Sequence, residues 1–553
     1  MTELRARPHN NVEPQLSSWS SLLKHAPVIG VALIAGLSIY DYSQLSAHPP
    51  SSEPTLSQTE TELASKQISA EPLEIPPPLI LPTPVPKPLI LDTTIRPVEA
   101  REIPASPRLD GTFIYAQSLS QDTLPQYLDE LNKLDIKFVI QTYSKEKLGS
   151  CTSNNYQWVE DFPETIGFLL DEAEKRGMSV YLGIDGTAGA CPMGFMINPS
   201  ADQTVADVGQ TLSVLTKNYS QHKALAGWYL SDEANLADVK NWTEGTYQYY
   251  MKMTNKIRQS SNLPILATTY LNKVAGMSPE LIADTFKAFI DKTGVDVLVV
   301  QDSVGAEGHS PERIRAIYRA LSETIGKQHL WSDVELFGGR TAEGITGGAY
   351  RPATWQRIAW QLAETQPFVN SHVAWLLQHH ASQVSPDRLP EAARLLDEMK
   401  AAYGLDGLTF LEPASYDWLS PTPVEPEGKN TQLFDKKTGD LLHPQKNWVL
   451  VPGTADIIIN FGKEQHLRWL SGQFLHQQDS GLSFPSELQL SCSTDGETWS
   501  LVGTWGLPIQ PADSEYTFSN PEPLDVRCQF AQATFLNPTG ITAIGEVTAV
   551  GSP

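Results

Sequence analysis

Short apolar runs alternate with amphipathic stretches from residue 110 onwards. The runs have the length and the β-branched and aromatic content of buried strands, whereas the stretches between them repeat with the helical period of about 3.6 residues. The predicted strands are residues 111–117, 137–143, 178–185, 225–233, 264–271, 295–303, 328–337 and 369–380. The predicted helices are residues 122–134, 162–176, 202–219, 242–260, 279–291, 311–326, 354–366 and 388–403.

Strict alternation of strands and helices predicts a parallel sheet that is covered on both faces. Eight such units within residues 109–411 favour a closed (β/α)8 barrel, or TIM barrel, over an open doubly wound sheet. No glycine-rich phosphate-binding loop follows any predicted strand, which further disfavours a dinucleotide-binding sheet. The predicted fold class is therefore α/β, with a barrel as the main body.

The helical period disappears after the barrel. Residues 431–553 alternate apolar and polar positions with the period of two that strands require, and turn sequences such as Asp495-Gly496 interrupt them. This pattern is typical of a β-sandwich. A stretch rich in Pro and Glu, residues 412–430, separates the sandwich from the barrel, and we expect it to be a linker.

The N-terminal part of the chain has the composition of a membrane anchor and a tether. Residues 26–42 begin with the uncharged apolar run APVIGVALIAGLSIY. Counted back through Leu22 and Trp19, the run reaches about 20 residues, near the minimum for a membrane span. Basic residues precede this run and none follows it before Lys66, so the positive-inside rule leaves residues 1–25 in the cytoplasm and the main body outside. A cleaved signal peptide is the alternative. The Pro-rich residues 43–108 are expected to form an extended, disordered linker.

Acidic residues outnumber basic ones. The chain has 64 Asp and Glu against 40 Lys and Arg, which gives a formal net charge of -24. A nucleic-acid partner requires a basic surface, so we expect none. The same charge disfavours binding to an anionic membrane surface and fits neutral or cationic ligands.

The four cysteines fall into two well-separated pairs, Cys151 with Cys191 and Cys492 with Cys528. No Cys-x-x-Cys motif or Cys/His cluster has the spacing of a zinc site. If the body lies in an oxidising compartment, as the N-terminus indicates, we expect a disulfide within each pair. Four buried free thiols are the alternative.

Polar residues at the C-terminal ends of the predicted strands carry the candidate chemistry, because barrels of this type place function on the loops that follow those ends. Glu233 ends the fourth strand and Glu335 lies near the end of the seventh, on roughly opposite sides of the barrel mouth. The other strand-end candidates, predicted to bind substrate, are Tyr143, Asp185, Asp232, Tyr270, Gln301, Asp302 and Trp375.

Two carboxyl groups that face each other are what cleavage of a glycosidic bond needs. One protonates the leaving oxygen, and the other attacks the anomeric carbon or activates water. Glu233 and Glu335 are therefore the candidate catalytic pair, and aromatic residues at the mouth offer stacking surfaces for sugar rings. Simpler interpretations remain open, because Asp232 is also a plausible helix cap and Trp375 is also a plausible core residue.

No metal or other cofactor is expected. His379 and His380 are adjacent on the predicted eighth strand, so their side chains would point to opposite faces and could not easily bind one ion. No other convergent set of ligands appears in the sequence.

The two strand-end glutamates resemble those of glycoside hydrolase clan A. The resemblance implies that Glu233 is the acid/base, that Glu335 is the nucleophile, and that the configuration at the anomeric carbon is retained. Trp375 resembles the tryptophan on strand 8 of that clan. The sequence departs from the clan at Asp232, where the clan usually has Asn, and this puts the contact with the sugar 2-hydroxyl in doubt.

Three motifs resemble, more closely, an uncharacterised bacterial family of glycoside-hydrolase-like barrels. They are GTFI (111–114), GWYLSDE (227–233) and QDSVG (301–305), and the resemblance covers about residues 110–405. It implies the fold and the site more than a reaction. In a bacterium, the predicted anchor would hold the protein in the inner membrane as a single-pass protein, with its body in the periplasm.

The C-terminal module resembles the discoidin, or coagulation-factor type C, branch of galactose-binding-like sandwiches. The resemblance rests on IIINFG (457–462) and FPSELQLSCSTDGETW (484–499). Many modules of this branch bind carbohydrate, and others only brace an enzyme.

Two functional hypotheses follow. The first is a membrane-anchored glycoside hydrolase that cleaves a polysaccharide or oligosaccharide by a two-carboxylate retaining mechanism. The second is a non-catalytic glycan-binding protein of the envelope or of exopolysaccharide export. An esterase or deacetylase on the same barrel has no support, because the sequence has neither a G-x-S-x-G motif nor a metal-ligand cluster.

Overall fold

The computed structural model describes the chain from residue 107 onwards, with gaps. The described residues are 107–142, 147–148, 157–158, 162–184, 201–234, 244–271, 277–306, 309–338, 351–420, 423, 432–436, 439, 448–507, 514–538 and 540–553. The predicted anchor at 26–42, the segment before it and nearly all of the linker at 43–108 lie outside these residues. Among the helices that are described, none has the length and apolar character needed to cross a bilayer.

Eight parallel strands close into a barrel, as the sequence pattern predicts. Each strand pairs with its neighbours in the sequence, and the first strand closes the ring on the eighth through the register Gly111 to Val373. The strands are β1 (Gly111–Ile114), β2 (Phe138–Gln141), β3 (Ser179–Gly183), β4 (Leu225–Ala234), β5 (Ile265–Tyr270), β6 (Val297–Gln301), β7 (Leu330–Glu335) and β8 (Ser371–Trp375).

One main helix follows each barrel strand. The helices are α1 (Thr123–Lys133), α2 (Phe162–Lys175), α3 (Ala201–Tyr219), α4 (Glu244–Arg258), α5 (Pro279–Thr293), α6 (Pro311–Ile325), α7 (Trp355–Thr365) and α8 (Ala392–Tyr403). Local sequence explains where several begin, because the side chains of Ser278, Ser310 and Thr354 accept a main-chain N–H from the first turn of α5, α6 and α7.

The barrel has two apolar layers, and the two-residue alternation along each strand separates them. On β7, Trp331 packs inside the barrel, whereas Leu330 and Val334 pack between the strands and the helices. Aromatic rings fill the interior; the centroids of Phe138 and Trp331, for example, are 5.0 Å apart. The barrel is therefore a filled core, and its open surface is the mouth at the C-terminal ends of the strands.

Nine further strands form an antiparallel β-structure after the barrel. They are β9 (Thr409–Phe410), β10 (Ser415–Trp418), β11 (Val449–Pro452), β12 (Ala455–His476), β13 (Glu487–Ser493), β14 (Ser500–Gly506), β15 (Ser514–Ser519), β16 (Val526–Leu536) and β17 (Ile541–Ser552). A disulfide joins Cys492 on β13 to Cys528 on β16, with their Cα atoms 5.3 Å apart, which confirms that predicted pair. Cys151 and Cys191 lie outside the described residues.

The β-structure begins earlier in the chain than the sequence pattern indicates. Strand β10 pairs with β12 at Asp417 and Ile458, although residues 412–430 were expected to be a linker. The aromatic rings of Tyr416 and Trp418 pack against the apolar core of the C-terminal module, and this packing draws the segment into the sheet. The linker therefore does not begin at residue 412, as the content of Pro and Glu predicts, because residues 415–418 form a strand.

Candidate active site

Glu335 is the last residue of β7 and lies at the barrel mouth. It pairs in register with Trp375, the last residue of β8. Because side chains alternate along a strand, Glu335 faces the same way as Trp331, which packs in the barrel interior. The residue is only 5% exposed. The structure thus puts this carboxyl at the floor of the mouth, beside Trp375 of the neighbouring strand.

A short loop after β6, residues 302–306, folds over the end of β7. The main-chain N–H of Ala306 donates to Oε2 of Glu335 at 2.6 Å. Gly305 makes this approach possible, because a Cβ at this position would lie 2.3 Å from the carbonyl oxygen of Phe337 and 2.9 Å from the Cβ of Glu335. The QDSVG motif is therefore the sequence of a loop that holds the Glu335 carboxyl from above.

Asp302 opens this loop and is completely buried. Its Oδ1 accepts the main-chain N–H of Val304 at 3.1 Å, and its Oδ2 accepts Nε2 of Gln361 at 2.7 Å. Both oxygens are thus engaged inside the protein. This burial supports a position behind Glu335, and it gives no support to the expected contact between Asp302 and a sugar hydroxyl.

Arg357 on α7 is the basic side chain whose charge acts on both acids in the described part of the chain. Its guanidinium donates to the carbonyl oxygen of Glu335 at 3.3 Å and also to that of Phe337. Arg357 therefore fixes the main chain around Glu335, and its charge moderately favours the ionised form of both Glu335 and Asp302.

The protonation of Glu335 and Asp302 is strongly shifted. Burial, and then the charge of Asp302, raises the pKa of Glu335 to about 8. Burial raises the pKa of Asp302 to about 6. Since two coupled carboxyls titrate as one unit, the pair retains about one proton near neutral pH. A carboxyl that still carries a proton at neutral pH is what acid catalysis requires.

Aromatic and polar residues border Glu335 around the mouth. Trp375 is partly exposed, its ring packs edge-on against Phe113 at 4.9 Å, and its peptide bond to Leu376 is cis. Trp375 is thus both a core residue and a residue of the mouth. Tyr270 and Gln301, which pair with each other on β5 and β6, are also partly exposed. The structure therefore brings three of the predicted binding residues to the side of the mouth that carries Glu335.

The other predicted site residues fall outside the described parts. Tyr143 and Asp185 lie outside the described residues, as do the side chains of Asp232 and Glu233. The main chain of β4 carries the last two at the C-terminal end of the strand, where its register with β5 shifts between Leu230 and Ala234. The roles predicted for these four residues stay predictions.

The eighth strand ends earlier than expected. Its last residue is Trp375, and His379 and His380 lie on a short helix, Leu377–His380. The prediction that these histidines alternate along a strand is therefore wrong. Burial lowers the pKa of His379 to about 4 and that of His380 to about 3, so both are neutral at physiological pH. The described residues contain no group of three or more potential metal ligands.

Sequence reasoning missed the support that α7 gives to the site. Gln361 lies at a fully buried position of α7, between the apolar residues Ile358 and Leu362. A polar residue within the apolar stripe of a helix is the signal that was available. Its partner Asp302 was singled out only as a residue at the end of a strand.

The fold and the site define a parallel (β/α)8-barrel protein whose acidic groups lie where barrel enzymes carry their catalytic residues. The chain belongs to the family described as Domain of unknown function (DUF4434), whose family model matches residues 109–389, just over half of the chain. No curated protein matches the sequence.

Several solved structures share features with the chain at low identity. A candidate alpha-L-fucosidase from Bacteroides thetaiotaomicron is 17% identical, with a TM-score of 0.44 over 55% of this chain and 97% of the other. A glycoside hydrolase is 9% identical, with a TM-score of 0.37 over 77% and 92%. The CBM32-5 module of Clostridium perfringens, in complex with GalNAc-beta-1,3-galactose, is 14% identical, with a TM-score of 0.18 over 24% and 93%. TM-scores below 0.5 are too low to carry a function across.

Proposed function

We propose that this protein is a glycoside hydrolase that cleaves an oligosaccharide or polysaccharide at the barrel mouth. The observation that carries the proposal is the buried Glu335 carboxyl, which shares about one proton with Asp302 near neutral pH and lies beside Trp375. A protonated carboxyl next to a partly exposed aromatic ring provides both the acid and the stacking surface that a glycosidase uses.

The proposed reaction needs a second carboxyl, and Glu233 is the candidate. In a retaining mechanism, one carboxyl donates its proton to the glycosidic oxygen while the other attacks the anomeric carbon and forms a glycosyl-enzyme. Water then releases the sugar, and the first residue takes back a proton. The resemblance to clan A assigns the attack to Glu335 and the proton transfer to Glu233.

The burial of Glu335 supports the opposite assignment, with Glu335 as the proton donor. The two assignments predict opposite pH dependences. A nucleophile must be ionised, so kcat/KM would rise with pH through the pKa of Glu335, at about 8. A proton donor must be protonated, so kcat/KM would fall through the same pKa. A pH profile of the wild-type protein distinguishes the two roles.

Replacing either glutamate tests the proposal. We expect Glu335→Gln and Glu233→Gln to lower kcat roughly 10²–10⁴-fold on any glycan that the wild-type protein cleaves, because each removes a carboxyl that acts in the transition state. The assay uses a panel of oligosaccharides and aryl glycosides. The control is Glu323→Gln, which changes an exposed glutamate on α6 and should keep full activity. Full activity in both site variants would contradict the proposal.

Azide separates the two roles in the same variants. Added azide can replace a lost nucleophile and yields a glycosyl azide of inverted configuration. It does so with a variant that lacks the acid/base only after the glycosyl-enzyme has formed, and the product then keeps the substrate's configuration. The configuration of the azide product from Glu335→Gln therefore shows which step Glu335 carries out.

We also propose that the body lies in the periplasm, anchored by residues 26–42. The apolar run, the basic residues before it and the disulfide between Cys492 and Cys528 support this location, because disulfides persist in oxidising compartments. Fractionation of cells that produce the full chain should recover it with the inner membrane, and protease added to spheroplasts should digest its body. Recovery in the cytosol with reduced cysteines would contradict this proposal.

A non-catalytic glycan-binding protein is the second candidate. The resemblance of residues 431–553 to galactose-binding-like modules favours it, together with the presence of Asp232 where clan A usually has Asn. Isothermal titration calorimetry with the same oligosaccharides distinguishes the two functions. Binding by the wild-type protein without turnover of any substrate in the panel would favour this second function.

A further inference from the structure

The most informative feature that the proposed function leaves unused is a buried amide. Gln361 on α7 is completely buried, and its Nε2 contacts two acceptors. It donates to Oδ2 of Asp302 at 2.7 Å and approaches the carbonyl oxygen of Glu335 at 3.4 Å. One amide group thus bridges the Asp302 carboxyl and the main chain of Glu335.

We propose that Gln361 is a positioning residue that holds the ionised Asp302 carboxyl behind Glu335, so that the proton shared by the two acids resides on Glu335. The inference deepens the proposed function, and its catalytic consequence rests on that function. Gln361 does not touch the reacting atoms. It acts through Asp302, whose negative charge keeps the Glu335 carboxyl protonated and ready to donate.

Hydrogen-bond donors favour the charge on Asp302. Its carboxyl accepts from the N–H of Val304, from Gln361 and from the N–H of Glu335. The Glu335 carboxyl accepts from two N–H groups of the loop, those of Ala306 and Gly305. Because donors stabilise a carboxylate, the acid with more of them, Asp302, is the better site for the negative charge. Without Gln361 this difference would disappear.

The charged and titratable groups around Glu335 also favour retention of a proton by the two acids. They come from five elements: Asp302 from the loop after β6, Asp333 from β7, Tyr318 from α6, Arg357 from α7 and His380 from the short helix Leu377–His380. Two carboxyls, those of Asp302 and Glu335, thus share the charge of one arginine among the described residues, and the two hydrogen bonds of that arginine go to main-chain carbonyls. An excess of acid over base at a buried site is relieved by retaining a proton.

Gln361 also has an unused acceptor. Its Oε1 is buried and has no hydrogen-bond partner among the described residues. A buried amide oxygen without a donor costs free energy, and its usual remedy is to place the amide where the oxygen is satisfied. In the observed orientation, Oε1 of Gln361 accepts no hydrogen bond, whereas Nε2 donates to Asp302. Such an arrangement fits an ionised Asp302, which can only accept.

Two variants test the inference. Asp302→Asn keeps the shape of the side chain and removes the charge, and Gln361→Met keeps the approximate volume and removes the donor. In both, we expect the pKa of Glu335 to fall by about one unit or more, because the like charge beside it is removed or neutralised. The control is Gln366→Met at the end of the same helix, where the side chain is exposed.

The measurement follows protonation directly and does not need a substrate. Difference infrared spectra of the carboxyl C=O stretch, recorded across pH and assigned by comparison with Glu335→Gln, give the titration of Glu335. The wild-type protein and Gln366→Met should retain the protonated signal at neutral pH, and the two test variants should lose it. The pH limb of kcat/KM should move to lower pH by the same amount.

The outcomes separate this inference from the proposed function. A wild-type Glu335 that titrates in the ordinary carboxyl range overturns the inference, and so does an unchanged titration in Asp302→Asn that retains the wild-type circular dichroism. If Gln361→Met fails to fold, Asp302→Asn still gives the answer. The expected titrations in a protein that cleaves no glycan would contradict the proposed function and leave the inference standing.

Discussion

The buried Glu335 carboxyl is suited to acid catalysis, but its ionisation lowers the stability of the folded protein. The residue is 5% exposed and its carboxyl lies near that of Asp302. Burial and the charge of Asp302 raise its pKa to about 8, so it keeps a proton at neutral pH that an exposed glutamate would lose. Such a group destabilises the folded protein whenever it has to ionise. The fold tolerates it because the loop and α7 supply hydrogen bonds around it. Sites that pair an unusual pKa with dense local support are candidates for catalysis.

The stability of the protein should therefore depend on pH through this residue. The pKa of Glu335 is about 8 in the folded state against an ordinary value of 4.5. A carboxyl whose pKa rises on folding contributes stability that is fully present below the unfolded pKa and is lost as pH rises through the folded pKa. We expect Tm to fall between about pH 5 and about pH 8, and to fall less in Glu335→Gln. Thermal unfolding followed by circular dichroism checks this; an equal fall in both proteins would contradict it.

The loop 302–306 and helix α7 form the unit that shapes the site. The loop is held at its start by Asp302, which contacts Gln361 of α7, and at its end by Ala306, which contacts Glu335. The helix in turn holds the main chain after β7 through Arg357. Loop, helix and strand are thus hydrogen-bonded into one assembly, and displacing any of them moves the carboxyl.

At Gly305, the loop packs too closely against the chain around Glu335 to accept a larger side chain. In Gly305→Ala, the new Cβ would lie 2.3 Å from the main-chain oxygen of Phe337, so the loop must shift. We expect a loss of about 1–3 kcal/mol in stability and reduced activity, because Ala306 would move away from Glu335. Urea unfolding and kcat measure the two effects.

Gly506→Ala is the matched control, since the nearest atom to its added Cβ lies at 4.0 Å. We expect Gly506→Ala to lower stability and activity much less than Gly305→Ala does. Equal stability and equal activity of the two variants would contradict close packing of the loop 302–306 against β7.

The sequence predicts the barrel well because its signal is repeated. All eight strands and the eight main helices lie within or close to their predicted ranges, since each had to satisfy the same alternation of apolar runs and helical periods. The site is less predictable. Glu335 and Trp375 were found from strand ends, whereas Gln361 acts through a contact with a residue that is distant in the sequence. Burial of Asp302 could not be foreseen, because a strand end does not show which way the next residue turns.

Buried polar contacts join the barrel to the C-terminal module. Asp397 on α8 is completely buried and accepts from Nε of Arg468 at 2.6 Å and from Nε1 of Trp469 at 2.9 Å, both on β12. The hydroxyl of Tyr516 donates to Glu391 at 2.9 Å. Such contacts tolerate little relative motion, since an opened interface would expose paired groups that no longer match.

A substitution of Asp397 tests the interface between the barrel and the C-terminal module. In Asp397→Ala, the partners on β12 lose their acceptor, and we expect a loss of about 1–3 kcal/mol, because the buried N–H of Trp469 is left without a hydrogen bond. Differential scanning calorimetry should show one transition in the wild-type protein and two, or one broadened, in the variant. The control, Asp417→Ala, changes an exposed aspartate on β10 and should behave as wild type. An unaltered transition in Asp397→Ala would contradict the prediction.

The way the chain leaves the barrel limits what the module can do. Helix α8 ends at Tyr403 and β9 begins at Thr409, where it pairs at once with β17, the final strand. A module on so short a connection has no independent reach, and it cannot search for sugar at a distance as a tethered domain does. Any glycan that both parts of the protein hold must therefore span them along one fixed path.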